Sequence, residues 1–259
     1  MGLAIVERHL PQWGCVYLPT GEGPFPTLLL LHGSEGGWAG WSDRDAVRFA
    51  AHGFAAMPLR YSGGNYWNAG DIRDVPLDRT VDALDFLRAA PFGNGRVGVF
   101  GVSRGGEHAL LVASLMAEGG SRMPDAVAAH SPCDVVCGAF SAAICRDSGD
   151  PGWRPWDPAE RAWTWRGSSD DLLPTTPIAA ERFEGPLFLS HGTADQVWSV
   201  ECTRRLEARL VAAGRTPEVY YYEGEGHGLG EEAANLNTAR LVDFFSRHLG
   251  AAGGNCLTV

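Results

Sequence analysis

The chain contains no apolar run near the roughly 20 residues needed to cross a bilayer, so no membrane-spanning helix is expected. Its first residues lack a basic stretch followed by an apolar one, and Val6 stands where a myristoylated chain would carry Ser or Thr. With no export or lipid signal to read, the expected location is cytoplasmic. The six cysteines (Cys15, Cys133, Cys137, Cys145, Cys202 and Cys256) form no C-x-x-C pair and no cluster with histidine. A zinc site is therefore not expected, nor any other metal or cofactor. The cysteines read as free thiols of a reducing compartment, the alternative being one disulfide in the Cys133–Cys145 region. Positive charge is the scarcer sign, with 21 Lys and Arg against 31 Asp and Glu. A formal charge of −10 argues against nucleic acid and anionic membranes as partners. A small-molecule substrate is expected, bound by a monomer or homodimer.

What the chain does have is a serine between glycines. Gly101-Val102-Ser103-Arg104-Gly105 follows the apolar run Arg96–Phe100 and precedes a helical pattern starting at Gly106. Strand, G-x-S-x-G and helix together are the context of a nucleophile elbow. The turn exposes the hydroxyl, and it aims the next backbone N–H and the helix N-terminus at the same point. The pentapeptide alone is also compatible with a serine capping a helix. Three further segments decide between the two readings. Leu187–His191 reads as a strand and leads through a turn to Asp195. Val219–Tyr222 reads as a strand and leads to His227 in a glycine-rich loop. Thr27–Leu31 is a buried-type strand running into His32-Gly33-Ser34-Glu35-Gly36-Gly37, where a second oxyanion donor belongs.

Helical periodicity marks Asp43–His52, Leu77–Ala89, Arg104–Glu118, Val200–Ala213 and Glu231–His248. They alternate with strands at Thr27–Leu31, Phe54–Leu59, Arg96–Phe100, Ala126–Ser131, Leu187–His191 and Glu218–Tyr222, after an opening hairpin over Ala4–Leu10 and Cys15–Leu18. That order predicts one α/β domain over 1–259, with a mostly parallel central sheet and helices on both faces. Residues 132–183, rich in Trp, Pro and charge, are expected to form an irregular, lid-like excursion over the site.

The order Ser, acid, His resembles that of the α/β-hydrolases. Gly101–Glu107, Trp163-Thr164-Trp165-Arg166-Gly167, Leu172-Leu173-Pro174, and Gly185–Leu189 leading to Asp195-Gln196-Val197-Trp198 carry the likeness further. They resemble the acyl-CoA thioesterase and bile-acid acyltransferase C-terminal domain family, a branch near the dienelactone hydrolases. The resemblance covers roughly residues 25 to 248. It implies an α/β-hydrolase fold and acyl chemistry on esters or thioesters. Animal members carry an N-terminal β-sandwich, whereas here the first core strand starts near residue 25, so that module is expected to be absent. Acyltransferase members use a cysteine nucleophile, and Ser103 in its place points to hydrolysis.

The expected mechanism is an acyl-enzyme route. Ser103 is the nucleophile, His227 the base and Asp195 the acid that orients it. Asp134 is the substitute acid. The oxyanion hole is expected from the backbone N–H of Arg104 with that of Ser34 or Glu35. His32 is expected to shape its loop, and His191, Glu107 and His108 to pack or support. Arg104 is open between a surface charge and a contact to a substrate anion. Arg146, Arg154, Arg161 and Arg166 are open between ion pairs and a binding patch. Tyr61, Trp67, Arg146, Trp163 and Trp198 are the candidate substrate contacts. The alternative functions are a dienelactone-type carboxylesterase or lactonase, an acyltransferase, and a non-catalytic ligand-binding protein on the same scaffold.

Overall fold

The computed structural model describes residues 4–65, 70–120, 122–141 and 156–250. An eight-stranded sheet forms the centre. In chain order its strands are β1 (Ile5–Leu10), β2 (Gly14–Pro19), β3 (Phe25–Leu31) and β4 (Ala55–Leu59). Two short strands, β5 (Asp71–Ile72) and β6 (Val75–Pro76), lie outside it. The central sheet continues with β7 (Gly93–Val102) and β8 (Ala126–His130). It is completed by β12 (Leu187–Gly192) and β13 (Glu218–Tyr222), after β9 (Gly138–Ser141), β10 (Asp157–Arg161) and β11 (Trp163–Thr164) in the excursion. The spatial order is β1-β2-β4-β3-β7-β8-β12-β13. From β4 to β13 all neighbours pair in parallel, and β2 is antiparallel to both β1 and β4. The continuous apolar runs of β3, β4 and β8 follow from this, since a parallel strand covered on both faces has no side to offer water.

Helices α1 (Trp41–Ala51) and α5 (Glu231–Leu249) cover one face, where Phe49, Phe244 and Phe245 pack against Leu28, Leu30 and Phe188. Helices α2 (Asp78–Ala89), α3 (Arg104–Glu118) and α4 (Glu201–Ala212) contribute to the larger core on the other face. Helix α3 is buried along nearly its whole length, so it is apolar on every side after its first turn. No helix among the described residues is long and apolar enough to cross a membrane.

Within 132–183 the expectation of irregular chain holds only in part. Strands β9 (Gly138–Ser141) and β10 (Asp157–Arg161) form a three-stranded sheet with β5, and β11 (Trp163–Thr164) pairs in parallel with β6. The partners of β9 and β11 lie about 70 to 90 residues earlier in the chain, so no local periodicity announces these pairings. Pairing satisfies backbone groups that packing on the core withdraws from water. Trp163, Leu172 and Ile178 join the core on the α2/α3 face. Cys15, Cys133, Cys137 and Cys202 are free thiols, and Cys145 lies outside the described residues.

Candidate active site

Strand β7 runs unbroken into the turn at Ser103. There φ is +57° and ψ is −118°, a backbone state that L-residues occupy only when the surroundings enforce it. The flanking glycines show what enforces it. A Cβ on Gly101 would overlap the carbonyl of Gly105, and one on Gly105 would overlap the carbonyls of Leu31 and His32. Ser103 N–H donates to His130 O at 2.8 Å, tying the turn to the neighbouring strand β8.

Asp195 and His227 meet across 32 positions of sequence. His227 Nδ1 is 2.7 Å from Asp195 Oδ2. Because that oxygen only accepts, the proton sits on Nδ1, and Nε2 keeps a lone pair free to take a proton. Burial raises the Asp195 carboxyl, but hydrogen bonds from His191 and His227 outweigh it and hold the group well below the usual carboxylate range. The substitute acid, Asp134, lies elsewhere. Its two oxygens take Arg205 at 2.9 and 2.7 Å.

Ser103 and His227 line one cavity of about 580 Å3, between the C-terminal ends of β3, β7 and β8 and helices α1 and α5. Leu30, Phe49, Phe100 and Leu241 give it an apolar wall. Crevices at the carboxyl ends of parallel strands are where open α/β sheets bind ligands. The profile of the prolyl oligopeptidase family matches residues 60–252, a span that holds all three of these residues. The chain belongs to the prolyl oligopeptidase family. Its matched curated relatives include mouse acyl-coenzyme A thioesterase 6, 25% identical over 231 residues covering 82% of this chain and 50% of the relative. Another is rat acyl-coenzyme A amino acid N-acyltransferase 2, 29% identical over 234 residues covering 83% and 51%. The chain thus spans about half the length of these two. Among solved structures, esterase 2 of Thermogutta terrifontis superposes with a TM-score of 0.65 at 17% identity, over 98% of this chain and 95% of that one. The fold is that of the α/β-hydrolases.

In this family member the loop after β3 is shaped by its own side chains. His32 stacks on Tyr61 with ring centroids 3.8 Å apart, and Tyr61 Oη donates to His32 O at 2.7 Å. The Glu35 carboxylate accepts from Gly33 N at 2.9 Å and from its own N–H. Gly36 N–H closes the turn by donating to Gly33 O at 3.2 Å. Glu35 itself lines the cavity.

The Arg104 side chain is neither a surface charge nor an anion contact. It is fully buried, with Nη1 2.8 Å from Glu107 Oε2 and Nη2 hydrogen-bonded to Gly138 O. The reason is that α3 turns this face into the core, where the Glu107 carboxylate compensates the charge. Glu107 Oε1 also accepts from Cys137 N and Trp163 Nε1, both at 2.8 Å.

Of the candidate substrate contacts, Tyr61 and Trp163 sit in this buried layer and do not line the cavity. Trp67 and Arg146, like Arg154, lie outside the described residues. None of the described residues of 132–183 lines the cavity, and the described part of the excursion packs on the α2/α3 side. Trp198 reaches Ser103 itself, its indole Nε1 donating to Ser103 Oγ at 2.9 Å.

Two histidines lie closer to Ser103 and Asp195 than their sequence context suggested. His191 Nε2 lies 3.1 Å from Asp195 Oδ2 and 3.0 Å from Trp198 O, both acceptors, while its Nδ1 meets Thr203 Oγ1 at 2.7 Å. His130 lines the cavity, reaches Ser190 Oγ at 2.9 Å and hydrogen-bonds the His227 backbone. Burial pushes its pKa down to about 3, so it is neutral. Both residues end parallel strands at the carboxyl edge, the one signal that could have singled them out.

Proposed function

We propose that this protein is a serine hydrolase that cleaves an ester or thioester through an acyl-enzyme. The observation that carries the reading is the 2.7 Å contact between Asp195 and His227, with His227 and Ser103 lining one cavity. His227 Nε2 takes the Ser103 proton as Oγ attacks the acyl carbon, then returns it to the leaving group. Asp195 holds the tautomer and balances the imidazolium. The amides of Ser34 and Arg104 receive the oxyanion. Water enters next, activated by the same histidine, and releases the acid. His227 is one-quarter exposed, which gives water a path to it. The apolar wall suits an acyl group. Acyl-coenzyme A names both curated relatives, and esterase names the structural neighbour, so both leaving-group classes belong in the assay.

The test is hydrolysis of p-nitrophenyl esters and of a series of acyl-coenzyme A thioesters by the purified protein and by Ser103→Ala. The expected result is turnover in one of these classes and its loss in the variant. Full activity of Ser103→Ala would overturn the reading. A prolyl p-nitroanilide belongs in the panel because of the family's name, and preferential cleavage of it would replace ester chemistry with peptide chemistry.

A further inference from the structure

A tryptophan that donates to the attacking oxygen is not part of the Ser, His and acid set. Trp198 Nε1–H points at Ser103 Oγ from 2.9 Å, and the side chain is almost fully buried. Its position is fixed from three directions. The backbone N–H groups of Val197 and Trp198 donate to Asp195 Oδ1 at 2.8 and 3.0 Å. His191 Nε2 donates to Trp198 O at 3.0 Å. The side chain packs in a buried cluster with Cys133, Cys137 and Cys202. The Asp195 carboxylate therefore orients His227 through one oxygen and anchors the Trp198 backbone through the other.

We propose that Trp198 is a catalytic residue, its indole N–H stabilising the negative charge that builds on Ser103 Oγ when the acyl–Oγ bond breaks. The proposal rests on Ser103 being the nucleophile. Oγ is a modest acceptor as a hydroxyl and a poorer one as the oxygen of an acyl ester. It becomes a strong acceptor only as it takes on charge, and a hydrogen bond to an ionised acceptor is roughly twice as strong as a neutral one. An interaction that strengthens only in the transition state raises the rate of that step. The oxyanion donors serve the former carbonyl oxygen, whereas this donor serves the other oxygen on the same carbon.

The step in which Oγ departs is deacylation. His227 takes a proton from water as the water oxygen bonds to the acyl carbon. The tetrahedral intermediate then collapses, the C–Oγ bond breaks and its electron pair moves to Oγ. Oγ takes the proton from His227 and the carboxylic acid leaves. The indole N–H is already in place for the charge that precedes protonation.

The experiment replaces Trp198 with 3-benzothienylalanine, which keeps the ring shape but has sulfur in place of N–H. Trp198→Phe is a second variant, and Ser103→Ala runs alongside. Each is pulsed with p-nitrophenyl acetate, and the decay of the acyl-enzyme is followed by quenched intact-mass measurement. The expected result is decay slowed by about tenfold or more in both Trp198 variants, with acyl-Ser103 accumulating and KM falling together with kcat. A mere packing role would leave that decay rate unchanged in the benzothienyl protein. Unchanged decay there, with Ser103→Ala inactive, overturns the role of Trp198 alone. Activity retained by Ser103→Ala overturns the Ser103 reading instead.

Discussion

Arg104 Nη1 stands 2.8 Å from Glu107 Oε2, and neither side chain has exposed surface. The residue after Ser103 thus has its side chain locked to the first turn of its own helix. Glu107 extends the lock to Cys137 and Trp163. Glu107→Ala leaves a buried guanidinium without its counter-charge and is expected to cost about 3–5 kcal/mol. Urea unfolding measures it. The double variant Arg104→Met/Glu107→Leu is expected to recover only part of that loss, because it buries no charge but leaves the Cys137 and Trp163 N–H groups and Gly138 O without their partners.

The pairing of Asp195 with His227 dictates a tautomer. Asn at 195 presents an amide N–H to Nδ1, which pushes the ring proton to Nε2 and removes the base. Asp195→Asn is expected to lower kcat/KM on the order of 10⁴-fold near neutral pH while the protein stays folded. Steady-state kinetics with circular dichroism as the folding control measures both.

His191 gives the same carboxylate a second donor on Oδ2. His191→Phe removes it and frees the Trp198 carbonyl as well. The expected outcome is a fall in kcat of roughly tenfold with KM little changed, since a hydrogen bond to a charged group contributes about 1.5–3 kcal/mol. A loss confined to KM would show that His191 does not act through Asp195.

Ser34 is expected to serve through its amide, not its hydroxyl. Ser34→Ala should therefore leave activity unchanged. Ser34→Pro, which has no N–H, should lower kcat by roughly 10²–10³-fold. Equal activity in the two variants would move the second donor elsewhere in the loop.

Acid sensitivity follows from three buried histidines. Burial pushes His32 down to about 4 and His108 and His130 to about 3, from an ordinary 6.5. The unfolded chain takes up these protons below 6.5, whereas the folded protein refuses them until far lower pH. Their contribution is complete above pH 6.5 and is lost as pH falls through about 4 for His32 and about 3 for His108 and His130. The slope from the three together approaches about 4 kcal/mol per pH unit near pH 5. Unfolding free energies between pH 7 and 4.5 test this, and His108→Asn should flatten the slope by about a third.

The order of residues dictated the alternation of strands and helices, because a sheet covered on both faces needs apolar runs and its helices need a 3.6-residue stripe. It also determined the elbow, since Gly101 and Gly105 leave no room for a Cβ where strand, turn and helix meet. Asp195 and His227 were legible because each follows a strand in the order such folds use. The rest depends on how the elements pack. Whether Arg104 faces water or Glu107 depends on which side of α3 meets the core, and the charge pattern cannot tell these apart. The pairings of 138–141 with 71–72 and of 163–164 with 75–76 are long-range and leave no periodic trace. His191, His130 and Trp198 become partners of the chemistry only because parallel pairing sets the ends of β7, β8 and β12 side by side. That brings groups dozens of residues apart in the chain within hydrogen-bond distance.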